Sequence, residues 1–506
     1  MTFFSNAATR LLPARFGTAM RISILLLLLH AFLCQAAPQP NIVFILADDL
    51  GWTDLGCFGS GYYETPAIDR LAAQGMKLTS HHHCQNCQPT RAALMSGQYA
   101  PRTGVYTVGD IGRFAWQTRP LRPVDNVTSL PLDKVTIAQC LKKAGYVTGM
   151  FGKWHLGQKD AYHPAKRGFD EAVESSGQHF NFKTDPPVEY PKDQYLADFL
   201  TDKAVDFMQR HKDSPFFLYL PHFGVHSPYQ AKKDWISHFK EKPGVRGHAN
   251  PTYAAMIASV DESVGRVMTE LDKLGLTEKT IVIFASDNGG VGGYAREGIQ
   301  KAGDVTDNAP LRSGKGSLYE GGTRVPFIIK WPGVTQAGSS CDVPSIHVDL
   351  YPTFLELAGA AAPENQPLDG VSLVPIFRDP KAAVARTDIF QHFPGYLGAG
   401  ADTWRTTPVG TLISGPWKLM EFFEDGHLEL YDLSNDLGET HNLAADMPEK
   451  AKELHARMKA WRHAVNAPMP TPNTAQEKPE GKGKAKGKGK KKKAATAEKP
   501  TPSLRL

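Results

Sequence analysis

The sequence predicts an α/β protein: one large, mostly parallel sheet sandwiched by helices, followed by a smaller C-terminal α+β unit with a short antiparallel sheet. Three observations carry this. The apolar runs NIVFIL (41–46), YVTGMF (146–151), FFLYL (216–220), TIVIFA (280–285) and VPFIIK (325–330) are unbroken. Such runs fit strands buried on both faces of a parallel sheet. Helical patterns lie between them, namely TIAQCLKKAGY, DFLTDKAVDFMQRH and YAAMIASVDESVGRVMTELDKLG. That alternation gives a sheet layered by helices. The texture then changes after about residue 385, where shorter strand-like segments precede a closing helix.

Taken in order, residues 1–36 read as a secretory signal peptide. Arg21 precedes ISILLLLLHAFL, an apolar run of about a dozen residues, short for a bilayer span. Ala36 and Ala37 offer small residues for cleavage. The chain is therefore expected to be exported, to the periplasm or beyond. A lipoprotein anchor at Cys34 is disfavoured, because Leu33 is a poor residue before a lipidated cysteine. Residues 37–385 form the expected catalytic domain. Residues 386–468 form the C-terminal unit, with TLISGPWKLMEFF and HLELYDLS as strands of a hairpin joined near Glu424–Gly426. PEKAKELHARMKAWRHAV closes it as an amphipathic helix. Residues 469–506 are rich in Lys, Gly and Pro, cannot form a core, and are expected to be a disordered tail.

The formal net charge of +5 is unevenly spread. From Thr471 onward there are 11 Lys/Arg against 3 Asp/Glu, and three arginines precede Asp48, the first acid. The body between is acidic overall. This excludes a basic nucleic-acid platform, while the tail is suited to attract polyanions. The six cysteines are Cys34, Cys57, Cys84, Cys87, Cys140 and Cys341. Cys84-x-x-Cys87 has no second CxxC to complete a zinc site.

Charged clusters follow four of the runs: Asp48-Asp49, Lys153-x-His155, His226, and Asp287-Asn288. Ligands bind open α/β sheets at the carboxyl ends of their strands. Three carboxylates and an amide suit a hard divalent cation, Ca²⁺ first and Mg²⁺ second. Lys153, His155, His226 and Lys315 would oppose an anionic group and move protons. His222 is expected to be structural, and His81-His82-His83 is given no direct role. Pro89 and Thr90 suit a helix start, which places Cys87 where backbone N–H groups favour an anion. A thiolate there is a soft ligand among oxygens, so the residue reads as a precursor of an oxygen nucleophile.

Cys87-Gln88-Pro89-Thr90-Arg91 resembles the sulfatase signature C-x-P-S/T-R, whose cysteine becomes Cα-formylglycine. The resemblance runs from Asn41 to about Trp461. It includes ADDLGWTDLGC, SGQYAPRTG, GKWHLG, VHSP, SDNGG, GKGSLYEGGTRVP and ELYDLSNDLGETHNL. This ordered set resembles the formylglycine-dependent type I sulfatases, arylsulfatase-like members of the alkaline phosphatase superfamily. Thr90 stands where serine is common and keeps the hydroxyl.

The resemblance implies an alkaline phosphatase-like fold and a sulfuric ester hydrolase. It implies that Asp48, Asp49, Asp287, Asn288 and modified residue 87 hold Ca²⁺, that Arg91 steadies residue 87, and that Lys153 and Lys315 contact sulfate. His155 and His226 become the acid/base pair. A gem-diol at position 87 would attack sulfur, and its second hydroxyl would then expel sulfate. A formylglycine-generating maturation enzyme is an implied partner. Expected substrates are sulfated carbohydrates or aryl sulfates. Trp116, Arg119 and Arg122 in the loop at 112–126, with His392 and Tyr396, are candidates for sugar subsites by stacking and charge. The alternative is a phosphodiesterase or phosphonate hydrolase of the same superfamily. A glycan-binding relative with a dead site is disfavoured, because every catalytic position is filled.

Overall fold

At the centre lies β1 (Asn41–Ala47), buried along its whole length. Alternate side chains explain its unbroken apolar run. Val43 and Ile45 enter the core on one face, and Ile42, Phe44 and Leu46 enter the core on the other. The other strands of the eight-stranded sheet are β2 (Met76–Leu78), β3 (Val147–Gly152), β4 (Glu171–Glu174), β5 (Phe216–Pro221), β6 (Thr280–Ser286), β7 (Phe327–Lys330) and β8 (Ser339–Cys341). Their order is β8-β2-β7-β6-β1-β5-β3-β4. All neighbours are parallel except that β7 runs antiparallel to both β2 and β6. The computed structural model describes residues 1–2, 39–157, 160–299, 303–400 and 403–474. All but the first two residues of the expected signal peptide, Cys34 among them, and the Lys-rich run lie outside these residues.

Helices cover both faces. Helix α1 (Cys87–Ser96), α2 (Ile137–Lys143) and α5 (Leu350–Ala358) lie on one side, and α3 (Leu196–His211) and α4 (Pro251–Lys273) on the other. Leu141 and Phe354 pack on the first face; Leu200, Phe207 and Val264 pack on the second. Thr136 and Gln139 form a capping box at the start of α2, and the Asn250 side chain caps α4. Among the described residues no helix is long and apolar enough to cross a membrane.

The C-terminal sheet is antiparallel, with strands β9 (Asp388–Phe393), β10 (Val409–Ser414), β11 (Trp417–Phe422) and β12 (Leu428–Asp432) adjacent in sequence order. TLISGPWKLMEFF is not a single strand: it turns at Gly415 (φ 57°) and supplies parts of both β10 and β11. Helix α6 (Pro448–Ala464) packs Leu454 and Met458 against Leu412, Leu419 and Leu430. Buried charges join the two units: Lys418 Nζ lies 2.9 Å from Glu320 Oε1 and 2.7 Å from Glu439 Oε1. The expected tail boundary also moves. Thr471–Pro472 pairs with Leu121–Arg122, and Asn473 donates to the Gln117 and Arg119 carbonyls.

Candidate active site

The four strands whose ends carry charged clusters, β6, β1, β5 and β3, are consecutive neighbours in the sheet and all parallel. Backbone hydrogen bonds continue past their ends. Asp287 N donates to Ala47 O (3.0 Å), Asp48 N to Gly224 O (2.9 Å) and Lys153 N to Pro221 O (2.8 Å). Two glycines are required by this crowding. A Cβ on Gly152 (φ 137°) would lie 1.9 Å from Pro221 O, and one on Gly289 would lie 1.8 Å from Gly321 O. Asp49 and His155 sit in the left-handed region, at φ 67° and 62°. Such backbone is costly for non-glycine residues and collects at functional sites.

Cys87 opens α1 and is 2% exposed. The N-terminal end of a helix is suited to negative charge. Thr90 Oγ1 fixes the turn: it accepts from Cys84 N and donates to the Asp287 carbonyl at 2.8 Å. Arg91, one turn on, donates Nε and Nη2 to Asp287 Oδ2 at 3.1 and 2.7 Å, and Nη1 to Lys153 O.

The carboxylates converge. Ligand atoms of Asp48, Cys87 and Asp287 all lie within 4.8 Å of one another. Asn288 Nδ2 donates to Asp49 Oδ1 at 2.8 Å. Two buried oxygens in this cluster, Asp48 Oδ1 and Asn288 Oδ1, have no hydrogen-bond partner among the described residues. Orphaned buried oxygens are rare. Hard oxygen donors around such a point fit Ca²⁺. Burial drives Asp287 well above the usual carboxylate range and the neighbouring Asp48 adds to that, against Arg91. A dication would relieve this crowding of negative charge. Asp48 is also buried, but Lys153 and then His226 and Arg91 hold it below that range. Lys153 and Lys315 place their ammoniums on Asp48 Oδ2 and Asp49 Oδ2, at 2.5 and 2.6 Å.

Above these groups opens a cavity of about 1050 Å³, lined by Cys87, Lys153, His155, His226 and Lys315 among others. His226 Nε2 is 3.7 Å from Asp49 Oδ2, and its Nδ1 faces the Ser227 carbonyl at 2.6 Å. Burial, with Lys315 beside it, brings its pKa down to about 4. His155 is pushed well down by burial and then by Lys153. His222 is fully buried against Ser263 Oγ, away from the cavity. His81, His82 and His83 are fully buried and bond to Ser345, Glu320 and one another.

The five residues offered as sugar subsites are not among those lining this cavity. Trp116 borders a separate small cleft with Tyr396. Arg119 pairs with Glu424, and Arg122 with Asp125. His392 is buried, with Nε2 facing the Pro468 carbonyl. The cavity instead recruits Arg113, Phe114, Tyr162, Glu174 and Arg405. Arg113 stood in the loop already singled out. Arg405 carried no local signal, because only the pairing of Leu397–Gly400 with Thr403–Thr406 brings its strand there.

A family model described as Sulfatase matches residues 40–360, and one described as N-sulphoglucosamine sulphohydrolase, C-terminal, matches residues 314–464. A Formosa agariphila protein named Sulfatase is 35% identical, covering 86% of this chain and 90% of its own length. The N-acetylgalactosamine-6-sulfatase of Mus musculus is 35% identical over 71% of this chain and 70% of its own. The solved structure of Ps i-CgsB in complex with k-i-k-neocarrahexaose matches with a TM-score of 0.70 and 30% identity, covering 84% of this chain and 92% of that one. Both the sheet carrying the charged strand ends and the unit closing over it thus fall within matched regions. By sequence and by fold, this chain belongs to the sulfatase family of the alkaline phosphatase superfamily and is a sulfuric ester hydrolase.

Proposed function

We propose that the protein is an exported sulfatase that hydrolyses sulfate esters of carbohydrates, using Ca²⁺ and a formylglycine made from Cys87 by a maturation enzyme. The observation that carries this is the placement of buried Cys87 on a helix N-terminus, beside Asp48 and Asp287 and facing the cavity with Lys153 and Lys315. The names of the relatives support the substrate class: N-acetylgalactosamine-6-sulfatase for one, and a neocarrahexaose complex for another. Asp48, Asp49, Asp287, Asn288 and residue 87 would hold the cation. The hydrated aldehyde would supply one hydroxyl as nucleophile and a second through which sulfate leaves.

The chain's own groups then divide the remaining work. Arg91 holds Asp287 in place. Lys153 and Lys315 neutralise the sulfate oxygens. The ammonium of Lys315 keeps its proton, because Asp49 raises its pKa against burial, so it can give one to the departing alcohol. His226 is neutral at pH 7. With Nδ1–H on the Ser227 carbonyl, it presents a bare Nε2 that accepts a proton. His155 is neutral as well and serves as the second acceptor.

Phosphonate monoester hydrolase of Agrobacterium radiobacter shares the fold alone, at 19% identity and a TM-score of 0.62. The test is release of sulfate from a panel of sulfated mono- and oligosaccharides, run beside matched phosphate esters. Faster cleavage of the phosphate esters would contradict the proposal.

A further inference from the structure

Two guanidinium groups on the cavity wall have no carboxylate partner among the described residues. Arg113 donates Nη1 to the Val108 carbonyl at 3.0 Å and stacks on Phe114, with its Cζ 5.2 Å from the ring centre. Arg405 lies over Tyr294, its Cζ 4.7 Å from the ring centre. Its Nε is buried and makes no hydrogen bond among the described residues. Other arginines of this region are paired: Arg119 with Glu424, Arg296 with Asp307, Arg312 with Glu297.

The position of Arg405 is built. Tyr294, which supports the guanidinium, donates its hydroxyl to the Lys315 carbonyl at 2.7 Å. The Arg405 stem crosses Gly316, where an added Cβ would come within 3.1 Å of Arg405 Cδ. The arginine is therefore braced against the segment that carries Lys315. Arg113 and Arg405 stand on the wall of one cavity. Both line the same cavity as Lys153, Lys315 and residue 87.

The charge count gives this a meaning. A sulfate monoester carries one negative charge, and Lys153 and Lys315 already face it. Two more guanidiniums are surplus for such a substrate, and the buried Arg405 Nε, a desolvated donor without a partner among the described residues, costs free energy. A planar guanidinium fork matches a second sulfate or a carboxylate.

We infer that Arg405, with Arg113, forms a subsite for a second anionic group, so that the preferred substrate is a sugar carrying another sulfate or a uronate carboxylate near the ester cleaved. This deepens the carbohydrate reading above and rests on it.

The test is calorimetric binding to Cys87→Ala protein in Ca²⁺. The probes are N-acetylgalactosamine 6-sulfate, its 4,6-disulfate, and a chondroitin 6-sulfate disaccharide, whose second anion is a carboxylate. At least one dianionic probe should bind about tenfold or more tighter than the monosulfate, the scale of one charge-assisted contact. The tighter of the two identifies sulfate or carboxylate as the second anion. Arg405→Gln should collapse that ratio toward one, and Arg405→Lys should keep part of it. A thermal melt of each variant separates this from loss of fold. Equal binding of all three probes, or a ratio unchanged in Arg405→Gln and Arg113→Gln, would overturn the subsite. Failure of the carbohydrate reading shows elsewhere: mature wild-type protein would then release no sulfate from any sugar, and this inference would fall with it.

Discussion

Arg91 grips Asp287 from two nitrogens: Nε and Nη2 lie 3.1 and 2.7 Å from the same carboxylate oxygen, and both side chains are buried. Removing the guanidinium leaves a carboxylate without its partner in a dry site. Arg91→Met should cost about 3–5 kcal/mol of stability, the usual scale for breaking a buried pair from one side. Denaturant unfolding measures it. Arg91→Lys, with one point charge instead of a fork, should fall between.

Asp48 Oδ1 and Asn288 Oδ1 are buried oxygens with no hydrogen-bond partner among the described residues, and both belong to the proposed cation site. Stripping the protein with a Ca²⁺ chelator should abolish turnover and lower the melting temperature, and added Ca²⁺ should restore both. Asn288→Ala should weaken Ca²⁺ binding by on the order of tenfold or more. Calorimetric titration with Ca²⁺ reads this directly. Full activity after exhaustive chelation would contradict the cation site.

Lys315 sits on Asp49 at 2.6 Å and also lines the cavity. Lys315→Ala removes a charge that competes for Asp49, so bound Ca²⁺ should not fall. Turnover should fall by on the order of 10²–10³-fold, the scale of one lost stabilising donor. The loss should be smaller for an aryl sulfate, whose good leaving group needs less help, than for a sugar sulfate. Equal losses on both substrates would contradict a role at the leaving oxygen.

Much of the fold and site is legible in the sequence, for identifiable reasons. The buried parallel strands leave unbroken apolar runs, and the acids, lysines and histidines after them mark the sheet edge. What escapes depends on pairing far along the chain. The Gly415 turn is hidden inside one largely apolar stretch, because the apolar residues of β10 and β11 run close to it on either side and their patterns merge. Arg119 and His392 look available for sugars. The first is held by Glu424, 305 residues away, and the second is buried inside the C-terminal unit with Nε2 on the Pro468 carbonyl, 76 residues away. Arg405 is easily overlooked because its neighbours in sequence are polar, and only the ladder with Leu397–Gly400 aims its strand at the cavity.

The Lys-rich segment should be dispensable for the chemistry, but the place to cut lies further along than the sequence suggests. Thr471–Pro472 and Asn473 dock on the segment at 117–122. Truncation after Thr474 should leave hydrolysis of 4-nitrophenyl sulfate within about twofold, since surface changes away from a site usually cost little. Truncation after Met469 removes that docking and should lower the melting temperature. A tenfold loss of activity on removal of residues 475–506 alone would place the lysines at the active site.

The mechanism stands on the state of residue 87. Trypsin should release Leu78–Arg91, which holds both Cys84 and Cys87. In active protein this peptide should be about 18 Da lighter than the unmodified form, with the change fragmented to position 87. Thiol oxidation would instead add mass. Cys87→Ala should abolish turnover. Active enzyme whose residue 87 is wholly an unmodified thiol would contradict the mechanism.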